Sequence, residues 1–553
     1  MEKNNKEASQ TLSMAYENHK KGNLKLAESL YKKVLKLNSK NFEATFLLGS
    51  LSIQKKNYDQ AIRFLNKSIE INPRHANSYQ NLGFVWLAMN DYEKATQFLN
   101  KAIEIEPNHV DANFNLGNAY KQYRFFKKAQ AQYEKTIKLQ PNNPSAYNNL
   151  ANTHKAQGNF SEAINCYLKA IKLQPNHARA YHNLGNTYNQ LGDYSRAITA
   201  FKKSFEMQPS NLESLYNISD LEERILNPEI KIKIKEIMKM GTLSKKDKAY
   251  GNFLYAKYEL MNENFEKEFN YLIDGHKDYF SSKTNYFEQG VIYWLKNLPN
   301  KKELDHMKEL KNSSNIRPIF IVGVPRCGST VIEKVIASGT KRFPIGEECS
   351  VISNIVGEKV LANNLLNTDT ENLKNQIIKK YESLSLSKKE SNYIFTDKTL
   401  DNFFFIDIIS KIFPSAKIIN CKRSPIASIM SILKNNLGDV SWAHSLEHIF
   451  KYFDIYYNKI SFFKKKYPDF IYDLEFENFQ NNPENESKKL MEFCNLPWSK
   501  SCLEYYKRKD IVSYTASHRQ IRQAIYKDSG ERHKPYIPLL NKYGKKYNWF
   551  LNT

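Results

Sequence analysis

Over its first 210 residues the chain sets its apolar positions in helix-length runs, and the runs repeat. Pro73, Pro107, Pro141, Pro175 and Pro209 stand 34 residues apart, and Gly49, Gly83, Gly117, Ala151 and Gly185 keep the same interval. Within each period an apolar helix carrying the small residue precedes a second helix, often marked by aromatic-x-x-Ala, as in Tyr92-Glu93-Lys94-Ala95 and Tyr194-Ser195-Arg196-Ala197. Proline closes the unit. From Asn211 to Lys311 the pattern stays helical but loses these markers. Phe253-Leu254-Tyr255-Ala256 and Asn264-Phe265-Glu266-Lys267-Glu268-Phe269 predict a divergent helix pair that continues and seals the stack, with Ser244 as an N-cap before it. After the polar linker Asn312–Asn315 the pattern changes. Ile319–Val322 is a short continuous apolar run of the parallel-sheet kind, and Val331, Ile332, Val335 and Ile336 recur at helical spacing. Tyr393–Thr396 and Ala416–Cys421 predict two further strands, the second leading to a helix with Ser424 as N-cap and Pro425 at its first position.

The 34-residue period is that of tetratricopeptide repeats, and the resemblance covers about residues 7 to 210. In that architecture small residues let paired helices approach, and each hairpin buries its apolar face on the next. The first unit has Ala15 at the glycine position and Ser39 where proline recurs, as a capping repeat would. Roughly six repeats result, enough for a concave face that holds an extended peptide or a partner helix. Tyr79, Tyr147 and Tyr181 share one repeat position with Asn113 and read as packing residues. Three regions follow: repeats over 1–210, a divergent helical cap and linker over 211–315, and a second domain over 316–553.

Composition narrows the function. With 553 residues, 41% hydrophobic, and a mean hydropathy of −0.63, the chain has ample core for several domains. Its 82 Lys and Arg against 58 Asp and Glu leave a net charge of +24. The lysines are dispersed, and no recognition-helix or zinc-finger spacing accompanies them, so nucleic acid is not an expected partner. The cysteines 166, 327, 349, 421, 494 and 502 show no metal-ligand spacing and read as reduced. Neither a signal peptide nor a membrane-length apolar run is evident, and a cytoplasmic enzyme without a metal is the simplest expectation.

The chemistry centres on Gly323-Val324-Pro325-Arg326-Cys327-Gly328-Ser329-Thr330. A strand running into a glycine-punctuated loop and then a helix gathers backbone N–H groups at a positive helix end, which suits a phosphate-like oxyanion. The spacing approaches a phosphate-binding loop of the nucleotide-triphosphate enzymes, yet Ser329 stands where they place lysine. Arg326 instead offers a planar fork for a bidentate oxyanion. Downstream, Gly346-Glu347-Glu348 sets paired carboxylates beside that site, where one of them can take the proton of an attacking hydroxyl. Asp397-Lys398 ends the second strand, at the edge where open α/β sheets bind ligands.

The loop resembles the 5′-phosphosulfate loop, Pro-Arg-Ser-Gly-Thr/Ser-Thr, of sulfotransferases that use 3′-phosphoadenosine 5′-phosphosulfate, with Cys327 at the commoner serine. Over about residues 316 to 545 the chain is similar to that superfamily, and to tyrosylprotein sulfotransferase most within it. The resemblance implies a P-loop-like α/β domain with a parallel sheet behind the α-solenoid. It implies donor contacts from Arg326, Cys327, Gly328, Ser329 and Thr330, and a 3′-phosphate held by Arg423 and Ser431, with Ser428 as the fallback. Glu348 maps to the base, and Lys398 and Ser517 to the residues that steady the leaving oxygen together with Arg326. Glu475–Glu484 resembles the family's Arg-Tyr-Glu-Asp-Leu-x-x-x-Pro-Glu segment, with Phe476 in place of tyrosine. The implied reaction moves a sulfuryl group to a hydroxyl, either protein tyrosine or a sugar. Animal tyrosylprotein sulfotransferases carry arginines shortly after the base, where this chain reads Cys349-Ser350-Val351-Ile352-Ser353-Asn354. The repeats tilt the acceptor toward protein or peptide. Two other readings stand beside this one: an interaction scaffold whose C-terminal domain binds nucleotide without catalysis, and a nucleotide kinase, against which the missing loop lysine argues.

Overall fold

The structure is a computed structural model. It describes residues 2–281, 304–305, 307–310, 316–340, 343–361, 365, 367–386, 393–438, 440–508, 520–525 and 531–551. They form two compact units, one of residues 1–189 with 195–208 and the other of residues 190–194 with 209–553.

The first unit is a run of helical hairpins: α1 (Glu2–Lys20) with α2 (Leu24–Leu37), α3 (Phe42–Gln54) with α4 (Tyr58–Ile71), and α5 (Ala76–Ala88) with α6 (Tyr92–Ile105). There follow α7 (Val110–Gln122) with α8 (Phe126–Leu139), α9 (Pro144–Ala156) with α10 (Phe160–Leu173), and α11 (Ala178–Leu191) with α12 (Tyr194–Met207). The recurring small residue is a close-approach point. A side chain on Gly117 would come within 2.8 Å of the Tyr133 ring, and one on Gly185 within 2.7 Å of Phe201. The partners Leu65, Leu99, Tyr133, Tyr167 and Phe201 keep the 34-residue interval and are wholly buried. Carboxamides tie successive repeats, as where Asn149 Nδ2 donates to Asn118 Oδ1 at 2.8 Å and Asn183 Nδ2 to Asn148 Oδ1 at 3.0 Å. The tight turn inside each hairpin also repeats, with positive φ at Gly22, Lys56, Asn90, Arg124, Gly158 and Gly192. Glycine occupies only half of these left-handed positions, so the rest carry side-chain strain.

The second unit begins with α13 (Leu212–Leu221), α14 (Pro228–Met238), α15 (Lys245–Met261) and α16 (Phe265–Ser281). The segment read as a cap and linker thus contributes these helices to the unit that holds the sheet. The sheet is built from β1 (Ile316–Gly323), β2 (Tyr393–Asp397), β3 (Lys417–Lys422) and β4 (Ile471–Glu475). Its order is β2-β1-β3-β4 and every pairing is parallel. The chain goes from β1 to one side and returns to the other, so β1 and β3 flank a topological switch point, with Gly323 opposite Cys421 at its mouth. In β1, Ile319, Phe320, Ile321 and Val322 are almost wholly inaccessible, as a central strand covered on both faces requires. β4 was not anticipated, because Ile471-Tyr472-Asp473-Leu474-Glu475 carries acids at alternate positions. They are paired: Asp473 accepts from Asn420 at 2.8 Å and Glu475 from Lys422 at 2.7 Å.

The connecting helices are α17 (Ser329–Ser338), α18 (Val351–Leu361), α19 (Thr370–Ser383), α20 (Ile406–Ile412), α21 (Pro425–Lys434), α22 (Leu446–Lys466), α23 (Phe476–Asn481) and α24 (Pro483–Phe493). The chain ends in α25 (Ile537–Gly544) and α26 (Asn548–Leu551). None of the described helices is long and apolar enough to cross a membrane. On α16, the buried His276 ring donates from Nε2 to the Leu433 carbonyl at 2.7 Å, which leaves Nδ1 to accept from His444 Nδ1 at 2.9 Å.

Two outcomes follow from this packing. Lys56→Gly should raise stability by about 1 kcal/mol by relieving the left-handed strain, read as an upward shift of the first urea or thermal transition. Burial lowers His276 from 6.5 to about 4, so its contribution is complete above pH 6.5 and is lost as pH falls toward 4. The unsubstituted protein should lose roughly 3 kcal/mol more over that interval than a His276→Gln variant, measured by urea unfolding at pH 7.5 and 4.5.

Candidate active site

At the carboxyl ends of β1 and β3 the chain opens a cleft of about 410 Å³. Its floor is the loop and first turn of α17, supplied by Pro325, Arg326, Gly328, Ser329 and Thr330. Gly328 has φ +94, and a side chain there would strike the Phe476 ring at 2.3 Å. The aromatic at the family's tyrosine position therefore packs against the loop itself, and the Arg423 guanidinium lies over the same ring, 5.8 Å from its centroid.

The donor-binding candidates converge only in part. Arg326, at φ +71, sends Nε to the Ser431 hydroxyl at 3.0 Å, while Arg423 Nη1 donates to the Arg326 carbonyl at 3.0 Å. The two arginines and Ser431 form one cluster, although Arg326 and not Arg423 touches the serine. Glu477 accepts the Ser424 N–H at 2.9 Å and so holds the start of α21 beside them. Cys327 does not face the cleft. It is buried under the loop against Cys421, whose thiol hydrogen bond lowers the Cys327 thiol and raises that of Cys421. Its backbone N–H donates to the Val324 carbonyl at 3.3 Å. Ser428 is wholly buried on α21, and neither it nor Ser431 is among the residues that line the cleft.

The paired carboxylates face opposite ways. Gly346 N–H donates to the Thr396 carbonyl at 2.9 Å, and the segment runs so close to β2 that a side chain on Gly346 would meet that carbonyl oxygen at 2.3 Å. Glu347 then takes φ +46 and turns inward. Its carboxylate meets Lys334 at 2.8 Å, and its N–H donates to Glu333 at 3.1 Å. Glu348 is left pointing into the cleft, half exposed, with Lys398 Nζ at 2.9 Å from its carboxylate. Lys398 is itself fully buried, and its N–H donates to the Glu347 carbonyl at 2.7 Å. Burial alone would depress the lysine, but Glu348, Glu333 and Glu347 outweigh it and hold its pKa above the ordinary value. The ammonium therefore stays charged at neutral pH.

Several contributors left no mark in the sequence pattern. Glu333 and Lys334 lie on α17 between its apolar positions, yet both are buried, and Thr396 donates to Glu333 at 2.8 Å. Asp397 braces the turn after β2: it accepts from Tyr381 at 2.6 Å, from the Thr399 N–H at 3.0 Å and from Asn402 at 3.1 Å. The cleft is lined as well by Leu400, Asp401, Val440, Trp442 and Tyr452. Trp442 stacks on Tyr452 at 3.8 Å, and the Tyr452 hydroxyl donates to Asp401 at 2.5 Å. Ser517 lies outside the described residues, although Ala524 and Ile525 of the same late segment line the cleft. Among the described residues no cluster of three or more His, Cys, Asp and Glu could hold a metal.

Comparison with known proteins matches residues 318–500 to the sulfotransferase family. Residues 41–108, 142–210 and 87–150 match tetratricopeptide repeats. An uncharacterised protein of Aquifex aeolicus (strain VF5) is 31% identical over 236 residues, which are 40% of this chain and 31% of that protein. The match thus spans under a third of the curated relative's length. Solved structures that the chain resembles include MamA, 25% identical over 30% of this chain and 97% of that one, with a TM-score of 0.28. Another is YrrB, described as a TPR protein with an unusual peptide-binding site, 21% identical over 34% of this chain and 96% of that one, TM-score 0.30. PilF of Pseudomonas aeruginosa is 19% identical over 39% of this chain and 99% of that one, TM-score 0.36. The chain carries tetratricopeptide repeats in its N-terminal part and a sulfotransferase-family domain in its C-terminal part.

Lys334 is 1% exposed and sits between Glu333 and Glu347. Replacing it by methionine would leave two buried carboxylates without their cation, a change of about 3–5 kcal/mol. Lys334→Met should therefore destabilise the second unit by an amount in that range, read from its urea transition, while Lys451→Met, an exposed control in the same unit, should change it by less than about 0.5 kcal/mol.

Proposed function

We propose that the protein transfers a sulfuryl group from 3′-phosphoadenosine 5′-phosphosulfate to a hydroxyl acceptor. The observation that carries this reading is the half-exposed Glu348 carboxylate, 2.9 Å from the buried Lys398 ammonium, beside a loop that carries an arginine and has serine at the phosphate-loop lysine position. A carboxylate facing a cleft beside an oxyanion cradle is placed to remove the proton from a hydroxyl that attacks an electrophilic sulfur.

In this mechanism the acceptor oxygen forms a bond to sulfur in line with the departing phosphate oxygen, and its proton passes to Glu348. The sulfur–oxygen bond to the nucleotide breaks, and the released adenosine 3′,5′-bisphosphate keeps the electron pair as negative charge. Arg326 and Lys398 offset that charge, and Ser517 is assigned to the same oxygen by its place in the late segment. Gly328, Ser329 and Thr330 embrace the 5′-phosphosulfate at the start of α17, with Cys327 contributing loop shape and not a hydroxyl. Arg423 and Ser431, joined through Arg326, are assigned to the 3′-phosphate. A sulfuryl group carries less negative charge than a terminal phosphoryl, so arginine and lysine can fill the part that a metal ion plays in phosphoryl transfer.

The acceptor in this reading is a protein or peptide hydroxyl, with tyrosine as the leading candidate. Tetratricopeptide repeats serve protein and peptide interaction, and a phenol, with an ordinary pKa of about 10, needs a base. A cytoplasmic location fits the six cysteines, all of them unpaired.

The experiment is transfer of labelled sulfate from the donor to a mixed library of tyrosine peptides and sugars, read by mass spectrometry. The full chain should label hydroxyls, and Glu348→Ala should cut turnover by about 10²–10⁴-fold. Arg326→Ala should cut it by about 10²-fold or more. Calorimetry should show binding of adenosine 3′,5′-bisphosphate. Tight ATP binding with magnesium-dependent phosphate transfer and no sulfate transfer would overturn the proposal.

A further inference from the structure

Residues 212–281 lie between the two matched regions, and their contacts converge on one place, the carboxyl end of α21. That helix carries Ser431 on its last turn, and the segment after it, with Asn436, Leu437, Gly438 and Val440, forms a rim of the cleft.

A helix ends with four carbonyls that lack an intrahelical partner. In α21 all four are engaged. The Ser431 carbonyl accepts from Asn435 Nδ2 at 2.7 Å, and that of Ile432 from the Asn435 N–H at 3.4 Å. The last two are met from outside: Leu433 by His276 Nε2 at 2.7 Å and Lys434 by the Tyr216 hydroxyl at 2.9 Å. Half of the helix terminus is therefore capped by α13 and α16.

Charge reinforces the same point. Glu268 of α16 is 2% exposed and pairs with Lys434 at 2.9 Å. Tyr536 closes a triangle, accepting from Lys434 at 2.9 Å and donating to Glu268 at 2.5 Å. The rim beyond is held from the same side. Asn436 Nδ2 donates to the Tyr250 hydroxyl at 3.2 Å, that hydroxyl donates to Glu213 at 2.9 Å, and the Tyr279 oxygen would be 2.7 Å from any side chain at Gly438. From the opposite side Arg326 holds Ser431.

We infer that α13, α15 and α16 are a working part of the transfer site, and that Glu268 is a positioning residue that sets α21 and the 435–438 rim for donor binding. The inference rests on the sulfotransferase reading above. A helix whose terminus is capped from another element cannot keep its register when that element lets go, because two buried carbonyls and an ammonium lose their partners together. Only the fraction of molecules with the rim in place then binds the donor, and the apparent affinity falls in proportion.

The test uses the full chain, calorimetry with adenosine 3′,5′-bisphosphate, and hydrogen exchange. Glu268→Gln should raise Kd by about 5- to 10-fold, as a rim populated at about 10–20% predicts. Donor KM should rise with it while kcat changes by less than about 2-fold. Amides of residues 432–438 should exchange faster, whereas those of Ile319–Val322 in β1 should not change. The charge-swapped double variant Glu268→Lys, Lys434→Glu should recover most of the loss. Tyr216→Phe, which removes one cap and no charge, should move the same quantities by about 2- to 3-fold and decides the matter should Glu268→Gln fail to fold. Unchanged affinity and exchange in the variants, or equal loosening of β1, would overturn the inference. A native protein that binds no adenosine 3′,5′-bisphosphate would overturn the sulfotransferase reading instead, and exchange at 432–438 would still decide whether these helices hold the rim.

Discussion

The candidate site depends on one buried cation. Lys334 sits with almost no exposure between Glu333 and Glu347, on the inner side of the segment that carries the proposed base. An ammonium and two carboxylates taken out of water are tolerable only when each has partners in place, and here Thr396 and the Glu347 N–H complete the set. This buried network draws Glu347 inward and fixes its left-handed turn. Its neighbour is thereby forced the other way, and Glu348 points at the cleft because Glu347 cannot.

Lys398 links that network to the cleft. It touches Glu348, feels the charges of Glu333 and Glu347, and leaves β2 at the edge where the sheet's topology opens a crevice. A single ammonium so placed can orient a carboxylate and can also meet negative charge that develops on a leaving group. Arg326 and Arg423 line the same cleft as Glu348. Arg326 is held to Ser431 and Arg423 to the loop backbone, so these cations gather at the loop, while Glu348 and Asp401 both line the cleft.

The two units use one device for different ends. In the solenoid, small residues let a large neighbour sit on a helix backbone, as Tyr133 does on Gly117. In the second unit, Gly346 lets a loop lie on a strand and Gly328 lets Phe476 lie on the phosphate-loop turn. The first kind recurs and builds length. The second kind occurs singly and builds a site.

The repeats were legible because period and chemistry coincide: Pro73 to Pro209 and Gly49 to Gly185 recur at one interval, and each repeat must bury the same face on its neighbour. The strand, loop and helix around Ile319–Ile336 were legible for a related reason, since local apolar runs and glycine spacing are properties of adjacent residues. Glu348, Lys398 and Arg326 could be singled out by type and place. What the chain order could not reveal was the partner each would meet, because Tyr452 and Trp442 reach the site from distant segments, and Glu333 and Lys334, on the helix that follows the loop, look alone like ordinary helix positions. Acids on alternate residues hid β4, whose partners lie on β3 and α22. The segment over 212–281 read as a continuation of the solenoid, because periodicity reports that a helix has an apolar face and not what covers it. Local pattern therefore determined the elements and the residue types on offer. Only the tertiary structure decided which carboxylate faces the cleft and which helices hold its rim, because both depend on burial and pairing between residues far apart in the chain.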